Sequence, residues 1–131
     1  MRRAANLVLK CTAIAGLALV AAVDPAAAAG APKSVACILM QGQELTFPVP
    51  KKIGDLPPIE FDYPSKVSLF SFRDGNLLLV AMDEEQPSRV RIVISAQRAK
   101  GKASYDGQFL VDMGGNQVQF DNGPVVCKPK G

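Results

Sequence analysis

The chain has 131 residues, of which 15 are basic and 12 acidic, and it contains neither histidine nor tryptophan. Without histidine, Ser-His-Asp and Cys-His catalytic arrangements are excluded and the commonest general base near neutral pH is missing. Residues 1–29 hold Arg2, Arg3, Lys10 and Asp24, so residues 30–131 are nearly neutral, with 12 basic and 11 acidic side chains. That balance takes away the electrostatic footprint of a nucleic-acid binder.

Arg2, Arg3 and Lys10 precede an apolar run to Val23, broken by Asp24-Pro25 and followed by Ala26-Ala27-Ala28-Ala29. A positive start, a short apolar stretch and small residues at A-x-A spacing describe a cleaved signal peptide over 1–29, cut after Ala29. The run is shorter than the ~20 apolar residues of a bilayer-spanning helix, so the mature chain is expected to lack a transmembrane anchor. Lys10 beside Cys11 departs from a lipobox, and Ala4-Ala5-Asn6 after the arginine pair departs from twin-arginine export. The alanine-rich style points to a bacterial periplasm or the exterior.

One small domain is expected over 30–131, with 30–33 as a flexible lead-in and 128–131 as a tail. Its two cysteines, Cys37 and Cys127, have one intramolecular pairing in an oxidising compartment, the alternative being two free thiols. That disulfide would close nearly the whole domain, at about 4–5 kcal/mol in the chain-entropy model.

Val35, Cys37 and Leu39 alternate with further apolar residues, as in a strand covered on both faces. Leu45, Phe47 and Val49 share a face opposite Pro48 and Pro50, which predicts an edge strand or an early end. Residues 51–58 read as a loop, and Ile59, Phe61 and Tyr63 as a half-buried strand. Asp74-Gly75, between apolar runs at 66–72 and 77–82, is the strongest hairpin signal in the chain. Residues 83–88 form an acidic turn.

Val90, Ile92, Ile94 and Ala96 then face one way, and Arg89, Arg91, Val93 and Ser95 the other. Tyr105, Gly107, Phe109 and Val111 share a face, with Gly107 suggesting a bulge or bend. Gly114-Gly115 turns the chain, Val118 and Phe120 point inward, and Asn122-Gly123-Pro124 turns it again before Cys127. Strands recur every eight to twelve residues with no helical periodicity after residue 30. The prediction is an all-β, small antiparallel barrel or sandwich of about seven to eight strands, closed by one disulfide.

The chemistry-bearing residues are sparse. No serine has a lysine three positions on, so the Ser-x-x-Lys signature is missing. Committing both cysteines to a disulfide leaves no structural zinc set, and no metal or cofactor is expected. Asp83, Glu84 and Glu85 read as a solvated loop without the ligand spacing of a calcium loop. With Asp106, Asp112 and Asp121 they are the carboxylates an enzyme would have to use.

Arg89 and Arg91, with Arg98, Lys100 and Lys102 beyond them, form a basic stripe. It reads either as a solvated outer face or as a surface for an envelope polymer, lipid headgroups or an acidic partner protein. Asn116, Gln117 and Gln119 form an outward polar row, and Tyr105 belongs to the core with its hydroxyl at a rim.

Gly114-Gly115-Asn116-Gln117 followed by Asn122-Gly123-Pro124-Val125-Val126-Cys127 resembles the ending of small exported bacterial proteins, a likeness that implies localisation. Lys100-Gly101-Lys102-Ala103-Ser104-Tyr105 is similar to the inserting loop of the membrane-bound and periplasmic lysozyme inhibitors. Those are small β-barrels with an early and a late cysteine; here the order of residues differs and the family's tryptophan is absent. Three readings follow: a non-catalytic exported β-domain that binds an envelope component or partner protein, a lysozyme-type inhibitor acting through the 100–105 loop, and a carboxylate-based enzyme. The first is preferred, with the oligomeric state open.

Overall fold

The computed structural model of the protein describes residues 32–39 and 42–131; the expected signal peptide lies outside them. Seven strands form one antiparallel sheet: β1 (Ser34–Ile38), β2 (Glu44–Pro48), β3 (Ser65–Arg73), β4 (Asn76–Asp83), β5 (Val90–Arg98), β6 (Tyr105–Asp112) and β7 (Phe120–Lys130). Their order is β2-β1-β7-β6-β5-β4-β3, so β3 to β7 run as a meander and the β1–β2 hairpin is added beyond β7.

The sheet curls into a half-barrel. Its two edges lean together: the rings of Phe47 on β2 and Phe70 on β3 meet edge-on with centroids 5.7 Å apart. Two bulges strengthen the curl, since an extra residue bends a strand and increases its twist. Ser68 is skipped between the pairs Val67–Ala81 and Leu69–Val80, and Arg91 between Ala81–Ile92 and Met82–Val90. The concave side is filled by Val35, Phe47, Leu77, Leu79, Ile94 and Val125, all buried, so the barrel is packed and not hollow.

Cys37 and Cys127 stand directly opposite each other on β1 and β7, with Cα atoms 4.0 Å apart, and are joined by the disulfide. The bond staples two neighbouring strands inside the sheet, and the two edges are drawn together by aromatic packing. β2 is an edge strand, as its prolines require. The β3–β4 turn takes left-handed backbone at Asp74 (φ 55°) and Gly75 (φ 73°), the type I′ geometry expected of Asp-Gly.

Four expectations are corrected. Ile59, Phe61 and Tyr63 do not form a strand: residues 49–64 cross the open side of the half-barrel as a strap, pressing these half-buried side chains on the core. Pro57, Pro58 and Pro64 bracket the segment and deny it a ladder. Asn122-Gly123-Pro124 is not a turn, because β7 runs unbroken from Phe120 to Lys130. β1 reaches only to Val126, so at Pro124 β7 has a partner on one side alone and a missing N–H is tolerated.

Gly107 is no bulge, since the pairing on both its sides keeps register. A Cβ there would collide with the Ser95 carbonyl oxygen, so glycine is required by the approach of β5. Finally, Lys33 of the lead-in and Lys128 to Lys130 of the tail are tied to the sheet. Lys33 N–H donates to the Lys130 carbonyl, and Lys128 to Lys130 pair with β1.

Candidate functional site

Alternate connections of an antiparallel sheet gather at the same end. One end of this half-barrel collects the β3–β4 turn, the β5–β6 connection (99–104), the first residues after β2, and the chain entering β1 and leaving β7. These elements enclose an open groove of about 920 Å³. Val49, Leu69, Phe70, Phe72 and Tyr105 give it an apolar floor, and Ile53, 84% exposed, stands at its rim.

Lys33, Lys51, Lys52, Arg73 and Arg98 surround this floor, against one acidic side chain, Asp55, and the terminal residue Gly131. All five cations are exposed, and among the described residues none is in an ion pair. An adjoining depression shares Arg98 and Tyr105 and adds Lys100 and Lys102, with Asp74, to the same basic end. An apolar floor with unneutralised cations around it suits an anionic ligand that also has apolar surface.

The basic stripe is split by the structure. Arg98, Lys100 and Lys102 are exposed at the groove end, with Ser104 half-buried behind them. Tyr105 is buried, its ring 5.1 Å from that of Phe72, as part of the groove's floor. Arg89 and Arg91 do not project from the outer face as the alternation predicts. They sit at the opposite end of the barrel, and both are largely buried. The bulge at Arg91 resets the alternation of β5 and turns this side chain under the strap. Its guanidinium lies 4.4 Å from the centroid of the Tyr63 ring and 3.6 Å from Asp83 Oδ2.

Arg89 organises the β6–β7 loop. Its Nε donates to Asp112 Oδ2 at 2.5 Å, and its terminal nitrogens donate to the carbonyls of Gly115 at 2.9 Å and Gln117 at 3.3 Å. Asp112 Oδ1 accepts the N–H groups of Gly114 and Gln119. The Asp112 side chain is 0% exposed, shut off beneath this one loop. Hydrogen bonding to Arg89 holds its carboxyl well below the usual range, outweighing the desolvation that acts the other way, and the two backbone donors add to the effect.

The Arg89 guanidinium is correspondingly held further up. Asp83 is also lowered, chiefly by the N–H of Gln86, with that of Glu85 contributing. Burial raises the Tyr63 phenol despite the nearby Arg91 charge.

Asn116, Gln117 and Gln119 lie in this loop and not on a strand face. Their side chains are exposed, and the loop is held through the backbone. Val118 and Phe120 point outward, contrary to expectation, because β7 begins only at Phe120. Sequence reasoning missed Lys33, Lys51, Lys52 and Arg73. Their signal was present: a lysine pair after a proline-blocked edge strand, and an arginine beside the hairpin turn, must lie at one end once strand directions are assigned.

Among the described residues, no group of three or more His, Cys, Asp or Glu side chains is placed to hold a metal ion, and no helix is long and apolar enough to cross a membrane. No family model, curated protein or solved structure matches the chain.

Proposed function

We propose that this protein is an exported, non-catalytic binding domain that takes an anionic, partly apolar ligand in the groove at the basic end of the half-barrel. The observation that carries this reading is the groove itself, about 920 Å³ with an aromatic floor, five cations without an ion pair among the described residues, and one acidic side chain. Its size lies within the roughly 300–1,000 Å³ of small-ligand sites, which recur at the mouths of β-barrels. One acidic side chain does not supply the Asp/Glu pair of a glycosidase. The disulfide supports an oxidising destination, reached through a signal peptide over residues 1–29.

The test is a fluorescence titration of the purified protein with anilinonaphthalene sulfonate, an anionic apolar dye. Saturable micromolar binding is expected, weakened at least tenfold by Arg73→Glu combined with Lys52→Glu and by high salt. These two side chains are exposed, and an unchanged circular dichroism spectrum establishes that the variant folds. Absence of binding, or binding indifferent to charge reversal, would overturn the reading. Lysozyme inhibition that survives the charge reversal and is lost on changes at 100–104 would move the function to that loop.

A further inference from the structure

The half-barrel leaves two sheet edges unpaired, and they are protected unequally. β2 is five residues long, with Pro48 inside it and Pro50 just after. Proline offers no N–H to an incoming chain, a common protection of an edge. β3 is nine residues long and contains no proline.

The register shows which groups of β3 are free. Arg73 faces Asn76 across the two-residue turn, so these two exchange hydrogen bonds. Alternation then makes Ser71–Leu78 and Leu69–Val80 the next bonded pairs. The Gly75 carbonyl accepts from Arg98 on the β5 side, which fixes the same phase on β4. The N–H and C=O groups of Phe70 and Phe72 therefore point away from β4. Among the described residues, no backbone hydrogen bond reaches them from the 49–64 strap.

The groove runs along this free edge. Residues 69–73 line it consecutively, from both faces of the strand, so the backbone edge is presented as well as one row of side chains. An added strand of five residues is about 17 Å long and, at a spacing of ~4.8 Å and a sheet thickness of ~10 Å, fills roughly 800 Å³. The groove offers about 920 Å³. Its depth is limited by the Phe47–Phe70 contact, which keeps a ligand out of the barrel interior. A hydrocarbon chain lying there would cover the Phe70 and Phe72 backbone groups without pairing them, whereas a peptide pairs them. Lys51, Lys52, Arg73 and Arg98 make the complement of that peptide acidic.

Resting on the binding-domain reading above, we propose that the groove takes an acidic peptide segment in extended conformation, added as a strand beside β3. The N–H groups of Phe70 and Phe72 donate to peptide carbonyls, and their carbonyls accept peptide N–H groups. Alternate peptide side chains are apolar toward Phe70 and Phe72 and acidic toward Arg73 and the lysines.

The test titrates the ¹⁵N-labelled protein with an acetylated, amidated Val-Glu-Val-Glu-Val-Glu peptide. Two further peptides carry N-methyl groups on alternate nitrogens, one in each phase. The Phe70 and Phe72 amide signals should move downfield and exchange with solvent at least tenfold more slowly. N-methylation in the pairing phase should weaken binding at least tenfold, and Lys in place of Glu should abolish it. Equal binding of the N-methylated peptides, or unmoved Phe70 and Phe72 amides, would overturn the added strand. So would binding of decanoate, but not the peptide, at the same cations. In each of these cases, continued charge-dependent dye binding leaves the groove reading standing; loss of both dye and peptide removes both.

Discussion

Replacing Cys37 and Cys127 together by alanine should cost this domain a large part of its stability. The bond spans a sequence separation of 90 residues. Closing a loop of that length removes unfolded-state entropy equivalent to about 4.6 kcal/mol at 25 °C in the chain-entropy model. Domains of this size have roughly 5–15 kcal/mol in total. With a guanidinium m-value of about 3 kcal/mol/M, the unfolding midpoint should fall by about 1.5 M. The loss should also be directional. β1 joins the meander only along β7, and β2 is attached only to β1. Amides of β1 and β2 should therefore gain more hydrogen exchange than those of β4 and β5. The assay is chemical denaturation followed by circular dichroism, with exchange measured on the folded variant. A stability change below about 1 kcal/mol would refute the entropic argument, and two free thiols in the unmutated protein would refute the bond.

Gly107→Ala drives a methyl group into the Ser95 carbonyl oxygen; overpacking against backbone should cost about 3 kcal/mol, and a denaturation midpoint equal to the parent's would contradict the close approach. Asp112, held below its ordinary range by Arg89, stabilises the fold fully above its unfolded pKa of about 3.9, and this contribution is lost as pH falls through the lower folded value. Asp112→Asn should thus flatten the acid limb of the stability curve below about pH 4 and speed amide exchange at Gly114 and Gln119; a limb as steep as the parent's would remove Asp112 from the account. In a Tyr105→Phe variant Tyr63 is the one remaining phenol, and its absorbance titration should have a midpoint above the ordinary value of about 10. Adding Arg91→Met should move that midpoint further up, and a downward move would contradict the placement of Arg91 over the ring.

Where local chemistry decides the structure, the sequence was readable. Asp74-Gly75 dictates its own turn, Pro48 and Pro50 dictate an edge, and Cys37 and Cys127 have each other as partners. Where the outcome depends on a neighbouring strand, it was not. Arg91 follows unbroken period-two alternation in the sequence, but the bulge opposite Ala81 and Met82 turns it inward. Asn122-Gly123-Pro124 carries every turn signal, yet it is strand because β1 stops short of it. Gly107 reads as a bend, and only the position of Ser95 on β5 explains it.

The groove was legible in pieces. Arg98, Lys100, Lys102 and Tyr105 stand out from a single connection, whereas Lys33, Lys51, Lys52 and Arg73 join them only when the meander brings four separate segments to one end. Arg89 and Asp112 lie 23 positions apart, and sequence spacing could not reveal that they hold one loop together.

The central claim, that the basic end of the half-barrel is the ligand site, is tested most directly by mapping amide chemical shifts while the sulfonate dye is added to the labelled protein. The largest shifts should fall on residues 49–55 and 69–73 and vanish in the Arg73→Glu, Lys52→Glu variant. Shifts centred instead on Met113, Val118 and Phe120, the exposed apolar side chains at the opposite end, would contradict it.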